Sequence, residues 1–522
     1  MIIFVPSWYD QTMGWQSVYG PWHQKNSGYE FDDTINQVRM FRMAGEDIVL
    51  MCLSYMPCLR HFLHRQCIYP TPYWSVFDEM QGTTYCDPGT LSYQELQWPH
   101  NVEWIYTSRD VRAYVDDHLY AVVEFYSDGS MCWIDFYRDE TICRRDVYDD
   151  RGFCSSSLQF SEGKPVKREY WGCLGEKRFT ENLISGEIII SKESYRSFRK
   201  DHYVSLAELI DEKVKDWLLE RKGSTVIIAA NQLHNQLVLQ ECRYQTVILS
   251  FFEDRYCLDN KEELQRDTAR APFVVTDTER SAKNLEAAGV KSDIYDISPF
   301  DTRLPLGTSQ KVREQKIFMP VEGLDVILLE KALHQILDFM NEHEDVNLTL
   351  GINAENEKEN QQVVQLVEKL LHEGNFAKIT FEGLSYELLN EGKKGERATK
   401  QKHKRRIEMV SYLSEFDLID ILSDTRLILD VRDQPDLYLQ IAGISSGIPQ
   451  VNYRYTRYIE HQKDGFIIQN IDHITEALEY YLSGLSHWNE ALVYCVQTAA
   501  EYAGSALVEK WKELLSDCSW DY

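Results

Sequence analysis

Short apolar runs, cut by prolines and glycines, open the chain. Ile2 to Val5, ended by Pro6, predicts a buried strand; Thr34 to Ala44 predicts a helix that Gly45 can stop; Asp47 to Ser54 predicts a second buried strand. Strand, helix and strand in that order predict a parallel α/β sheet. The pattern changes near Trp104. From His118 to about Ile190, aromatic and polar residues alternate, as in Tyr120-Ala-Val-Val-Glu-Phe-Tyr126 and Met131-Cys-Trp-Ile-Asp-Phe-Tyr137, which Ser127-Asp-Gly129 joins. A period of two with a tight turn predicts a hairpin. Further turn signals at Asp149-Asp-Arg-Gly152, Glu162-Gly-Lys-Pro165 and Ser185-Gly186 extend it into an antiparallel meander, inserted in the first α/β domain.

The α/β rhythm then returns. Leu206 to Glu220 predicts an amphipathic helix, Thr225 to Ala230, Thr246 to Phe251 and Phe273 to Thr276 short buried strands, and Glu279 to Ala288 a helix closed by Gly289. A second α/β unit begins near Lys316. Its predicted strands are Ile317 to Met319, Val346 to Gly351, Lys378 to Phe381, Leu427 to Val431 and Ile448 to Asn452. Its predicted helices are Leu328 to Met340, Gln361 to Leu371, Ser411 to Leu422, and His473 to Leu482 with Asp472 as its cap. A long helical tail runs from about His487 to Leu515. The expected domains are an N-terminal Rossmann-like domain (1–103 and 196–310), an inserted antiparallel sheet (104–195), a C-terminal Rossmann-like domain (311–485) and a helical segment (486–522).

Composition narrows the class. With 43% hydrophobic and 26% charged residues over 522 positions, the chain is an ordinary soluble globular sequence of more than one core. A formal charge of -28 repels a phosphate backbone, which argues against nucleic acid as a partner. The 12 cysteines are scattered without a CxxC pair, as expected of reduced thiols rather than a disulfide scaffold. Met1-Ile-Ile-Phe-Val-Pro6 has no basic segment and no small-residue cleavage site, and no apolar run approaches the roughly 18 residues of a membrane span, so a cytoplasmic protein is expected.

The most informative stretch is Leu427 to Asn452. A buried strand ends at Val431, Asp433 can cap a helix with Pro435 in its first turn, Gly447 ends that helix, and Pro449 leads into the next strand. This segment resembles the donor site of retaining GT-B glycosyltransferases, in which two Rossmann-like domains face each other across a cleft. That family places two glutamates there, with seven residues between them. In the register set by Gly447-Ile-Pro449, those positions hold Arg432 and Gln440, one charge reversed and one neutralised. Sliding the register to Asp430, Asp433 or Asp436 meets Tyr438, Ile441 or Ile444 instead. The loop after the first C-domain strand, Met319-Pro-Val-Glu-Gly323, lacks the family's Gly and Arg for the donor phosphate. The resemblance therefore implies a GT-B scaffold with a degenerate donor cleft at Arg432, Asp433, Asp436 and Gln440, without catalytic residues, cofactor or metal.

Phe4-Val-Pro-Ser-Trp-Tyr9, the aromatic meander, and Asp433-Gln-Pro-Asp-Leu-Tyr-Leu-Gln-Ile-Ala-Gly-Ile-Ser445 together resemble the first of the three accessory secretory proteins of the accessory Sec system. The likeness spans essentially the whole chain. It implies a cytoplasmic factor of Gram-positive bacteria that assembles with the second and third accessory secretory proteins. It also implies a role with the accessory Sec ATPase in exporting serine-rich-repeat glycoprotein adhesin preproteins, and association with acidic phospholipids at the inner face of the membrane.

Other signals have plainer readings beside sharper ones. Lys393, Lys394, Arg397, Lys400, Lys402, Lys404, Arg405 and Arg406 stand against Glu396 alone, for a local charge of +7. This is a candidate anionic-lipid patch, or else a solvated face. Cys58, His61, His64 and Cys67 have a metal-like spacing, but steps of three drift around a helix, so a half-polar helix face is preferred. Gly443-Ile-Ser445-Ser-Gly447 matches the nucleophile-elbow pattern in the wrong order, helix before strand. Acidic pairs such as Asp32-Asp33, Asp116-Asp117 and Asp149-Asp150 read as cap and turn residues. The aromatic meander is expected to offer partners an edge or face, because a lone sheet has little core for its rings. A non-catalytic export scaffold is the leading expectation. An active GT-B glycosyltransferase and a peripheral membrane adaptor are the alternatives.

Overall fold

The computed structural model describes residues 1–517 except 11, 18, 19, 25–30, 305–308, 310, 311, 354, 355, 375, 377, 382–405 and 413. The chain divides into two units: Met1–Pro299, joined by the residues from Glu513 on, and Phe300–Lys512.

The first unit begins with β1 (Ile2–Val5), β2 (Ile48–Cys52) and β3 (Tyr73–Ser75). The inserted meander follows, with β4 (Val102–Tyr106), β5 (Val111–Val115), β6 (His118–Phe125), β7 (Met131–Arg138) and β8 (Thr141–Asp149). It continues through β9 (Phe153–Ser161), β10 (Lys164–Trp171), β11 (Lys177–Asn182), β12 (Ile188–Ile190) and β13 (His202–Tyr203). The host sheet resumes with β14 (Thr225–Ala229), β15 (Thr246–Phe251), β16 (Phe273–Thr276) and β17 (Asp293–Asp296). Among the described residues, the host is a parallel sheet in the order β17-β16-β15-β14-β1-β2-β3, and the insertion a separate antiparallel sheet from β4 to β13 in sequence order. The first sheet reads as continuous apolar runs because both its faces are covered; every residue of β1 is buried. The second alternates because one face stays wet.

The meander has more core than expected. Val111, Ala113, Ala121, Val123, Met131, Ile134 and Tyr148 form it, and the segment from Leu91 to Trp98 packs over it. Trp98 meets Trp104 at 4.9 Å and Phe136 at 6.1 Å, ring centre to ring centre. These aromatics therefore bury one another rather than wait for a partner. Buried ion pairs hold the insertion to its host. Arg60, on the helix Leu59–Arg65, reaches Asp150 (2.6 Å), Asp149 (3.1 Å) and Asp78 (2.8 Å). Arg151, in the β8–β9 turn, pairs with Asp149 (2.7 Å) and Asp78 (2.9 Å).

The second unit holds β18 (Gln315–Pro320), β19 (Val346–Ile352), β20 (Ile407–Ser411), β21 (Thr425–Asp430), β22 (Gln450–Asn452) and β23 (Gly465–Ile467). They form a parallel sheet in the order β20-β19-β18-β21-β22-β23. The unit itself begins before this sheet, at Phe300. Phe300 packs edge-on against Tyr438, and the Leu304 N–H donates to Ser445 Oγ at 2.6 Å.

Four further expectations are corrected. The strand predicted at Lys378 to Phe381 is a single bridge from Phe381 to Ile407. The strand beside β19 is β20, and the helix predicted from Ser411 starts only at Glu415, where Ser414 and Asp417 form a capping box. Asp472 lies inside a short 3₁₀ turn capped by Asn470 and does not cap the helix Ile474–Leu482. The tail is two helices, Ser486–Glu501 and Gly504–Asp517, rather than one.

Candidate functional site

The carboxyl end of β21 places Asp430, Val431 and Arg432 in succession. Asp430 is buried, and three groups converge on it. Its carboxylate accepts two bonds from the Arg432 guanidinium (2.9 and 2.7 Å) and one each from the N–H groups of Arg432 and Asp436 (3.1 Å each). This anchoring delays the helix. Asp436, not Asp433, is its cap, with its carboxylate accepting the Leu439 N–H at 2.7 Å, so Pro435 lies just outside the helix Leu437–Ser446.

That helix is buried along its whole length, and Gly447 ends it in the left-handed region at φ 73°. Gly443 lets it lie close to the sheet: a Cβ there would stand 2.6 Å from the Gln450 amide and 2.8 Å from Ile428. Gln440, also buried, receives the Thr456 hydroxyl on its carbonyl at 2.5 Å and gives its amide N–H groups to the carbonyls of Pro435 (3.3 Å) and Asp436 (3.4 Å). Asp433 stands on the exposed rim and pairs with Arg454 at 2.7 Å.

The electrostatics follow from this wiring. Burial alone would lower the basicity of Arg432, but the Asp430 carboxylate outweighs it and raises the guanidinium above its usual range. Burial pushes the Asp436 carboxyl up, while Arg432 and the Leu439 N–H pull it back. Burial, and then the Asp436 charge, raise the Tyr412 phenol nearby. Across the cluster, Glu322 bonds Asn353 at 2.8 Å, and the Gly323 N–H donates to Glu359 at 2.7 Å. That amide is the kind of donor a phosphate would need in this loop, and a carboxylate already holds it. The Arg432 guanidinium faces the carboxylates of Asp430 and Asp436, and Arg454 pairs with Asp433. The arrangement can fix a strand end to a helix, since Arg432 is spent on Asp430 and Arg454 on Asp433.

The chain compares with known proteins as follows. A family profile described as accessory Sec system protein, the first of the accessory secretory proteins, matches residues 1–518. The chain belongs to that accessory secretory protein 1 family. The family member of Streptococcus gordonii is 34% identical over 529 residues, covering 99% of each chain. A solved structure of accessory secretory proteins 1, 2 and 3 of Streptococcus pneumoniae contains a chain with 29% identity, a TM-score of 0.83 and coverage of 99% of both chains. The pneumococcal O-GlcNAc transferase GtfA, solved with UDP and GlcNAc, is 13% identical with a TM-score of 0.68, covering 100% of this chain and 99% of that one. At that identity the likeness is one of fold, the GT-B fold. This accessory secretory protein 1 family member is thus a component of the accessory Sec system on a glycosyltransferase-type scaffold.

In it, the structure brings Arg432, Asp436 and Gln440 together and leaves Asp433 at the rim. Sequence reasoning weighed Asp430 only as a start for the glutamate pair, not as the carboxylate that organises the others. An acidic residue ending a buried strand, two before an arginine, was its only signal. Thr456 and Arg454 had none. Arg406 is a correction to the proposed lipid patch: it is buried, and its guanidinium donates to the carbonyls of Met340 (2.7 Å), His343 (2.6 Å) and Val346 (2.7 Å). Lys393, Lys394, Arg397, Lys400, Lys402, Lys404 and Arg405 lie outside the described residues.

The other sharp readings dissolve into packing. Ser445 is held by Leu304. His61 bonds Ser127 at 3.0 Å and Asp128 at 3.2 Å, His64 stacks on Tyr69, Cys58 is buried and Cys67 is exposed, so the four point to different places. Among the described residues, no helix is long and apolar enough to cross a membrane.

Proposed function

We propose that the protein is a non-catalytic scaffold of the accessory Sec export system. The observation that carries this reading is the engagement of Arg432 with Asp430, at the position where a retaining GT-B enzyme needs a free carboxylate. A catalyst must bind the transition state more tightly than the ground state. A buried internal ion pair offers nothing to a developing charge, and the neighbouring carboxylates repel a pyrophosphate.

In this role the protein assembles with the second and third accessory secretory proteins. Together they present a serine-rich-repeat glycoprotein adhesin preprotein to the accessory Sec ATPase. It works in the cytoplasm at the inner face of the membrane, where Lys393, Lys394, Arg397, Lys400, Lys402, Lys404 and Arg405 meet acidic phospholipids, and it needs no cofactor. The test is a tagged pull-down from native cytosol with a parallel titration of UDP-sugars against the purified chain. Recovery of the two sister proteins without heat from any donor supports the reading. Saturable donor binding, or sugar transfer, overturns it.

A further inference from the structure

The turn end of the inserted sheet carries a hollow that the scaffold reading does not use. The β4–β5 turn (Thr107 to Asp110), the end of β6 with its turn (Phe125 to Gly129) and Trp22 line an open hollow of about 410 Å³. Trp22 is 51% exposed, while Val111 beneath is buried. The frame is stiff. The Trp22 N–H donates to the Phe125 carbonyl at 2.9 Å, and His23 bonds Glu124 at 2.6 Å. The Thr107 hydroxyl accepts the N–H groups of Arg109 (3.1 Å) and Asp110 (2.9 Å).

Some polar groups here are engaged. Asp110 is held by Arg112 (2.9 and 3.2 Å), and Ser127 by His61 (3.0 Å). The Ser108 hydroxyl, the Arg109 guanidinium and the Trp22 indole N–H have no hydrogen-bond or ion-pair partner among the described residues.

We propose that this hollow binds a neutral saccharide unit stacked on Trp22, with Arg109 and Ser108 bonding its hydroxyls. A pyranose ring has one face rich in C–H groups, which suits an indole, and a rim of hydroxyls that accept and donate, which suits guanidinium and serine. The volume falls at the small end of ligand pockets, which run from about 300 to 1,000 Å³. An anionic ligand fits less well. Arg109 is the only unengaged cation lining it among the described residues, Asp110 stands beside it, and the chain carries -28 overall. An added peptide strand fits less well too. The Thr107 N–H is bonded to the Asp110 carbonyl and the Gly129 N–H to the Tyr126 carbonyl, so the turns offer no free ladder. The site is remote in sequence from the degenerate donor cluster and stands independently of the scaffold reading.

The test is saturation-transfer NMR on the full chain with N-acetylglucosamine, glucose and galactose, each alone. At least one sugar should show transfer. The signal should vanish in Trp22→Ala, and affinity should fall about tenfold in Arg109→Ala, a loss of one or two hydrogen bonds to a charged donor. Both side chains are partly or largely exposed, so unchanged thermal midpoints should accompany these losses. Absence of transfer from all three sugars overturns the proposal, as does transfer that survives Trp22→Ala. Trp22-dependent binding of a repeating Ala-Ser peptide without any sugar signal assigns the hollow to peptide and overturns it as well.

Discussion

Replacing Arg432 with methionine tests whether that side chain is structural. The substitution keeps much of the volume and removes the cation. Asp430, 2% exposed, keeps only the two backbone N–H groups of Arg432 and Asp436. The Arg432 side chain is 16% exposed, so solvent screens little of the lost attraction. Breaking a buried pair from one side costs about 3–5 kcal/mol. A unit of this size shifts its midpoint by roughly 2–4 °C per kcal/mol, so the second unit should melt about 6–20 °C lower.

The pH dependence has a definite sign. The folded Asp436 carboxyl already sits above its ordinary value, because burial outweighs the pull of Arg432. A carboxyl raised on folding binds its proton more tightly in the native state. Its stabilising effect is full below the unfolded value and lost as pH rises through the folded one. Removing Arg432 raises it further, so the loss should be largest at about pH 7.5 and smaller at about pH 5. Differential scanning calorimetry at both pH values reads this directly. A midpoint within about 2 °C of the parent at about pH 7.5, or an equal loss at both pH values, refutes the reasoning.

Three other outcomes are expected. The double substitution Arg432→Glu with Gln440→Glu restores the glutamate spacing but yields no UDP release from UDP-glucose or UDP-N-acetylglucosamine, because Glu322, Asp433 and Asp436 still repel the donor; measurable turnover would contradict this. Arg406→Ala should cost about 2–3 kcal/mol in urea unfolding, since three buried carbonyls lose a charged donor, and leave binding to acidic liposomes unchanged in flotation assays. Burial, and to a lesser degree the Asp149 charge, push the Asp150 carboxyl up to about 7 against the pull of Arg60. Stability from Asp150 is therefore full at acid pH and declines between about pH 4 and pH 7, and Asp150→Asn should flatten that stretch of the unfolding-free-energy profile.

Much of the fold was legible because its strands are short apolar runs buried on both faces. β1, β14, β15 and β16 fall where the runs predict them. What escaped was set by tertiary contacts. β20 covers one edge of its sheet and buries only Ile407 fully, so its apolar signature is weak. Asp433 and Asp436 are equally good caps by residue type, and only the Asp436 N–H bonding to Asp430 decides between them. The break in the tail rests on Gly504, a single residue in an otherwise helical pattern. That Arg432 stands at a strand end and Gln440 in the helix after it was readable by position. That Arg432 faces inward to Asp430 rather than outward to a ligand required the structure.

The placement of the meander bears on how the chain is made. Ile2 of β1 pairs with Thr225 of β14, so the middle of the parallel sheet cannot close until ~220 residues have followed it from the ribosome. At roughly 5–20 residues per second that is a wait of about 11–45 s. The meander, in which every strand pairs with its sequence neighbour, needs no such delay. The guest is complete while its host is still an open edge, and the nascent chain spends that interval in need of shelter for β1 and β2.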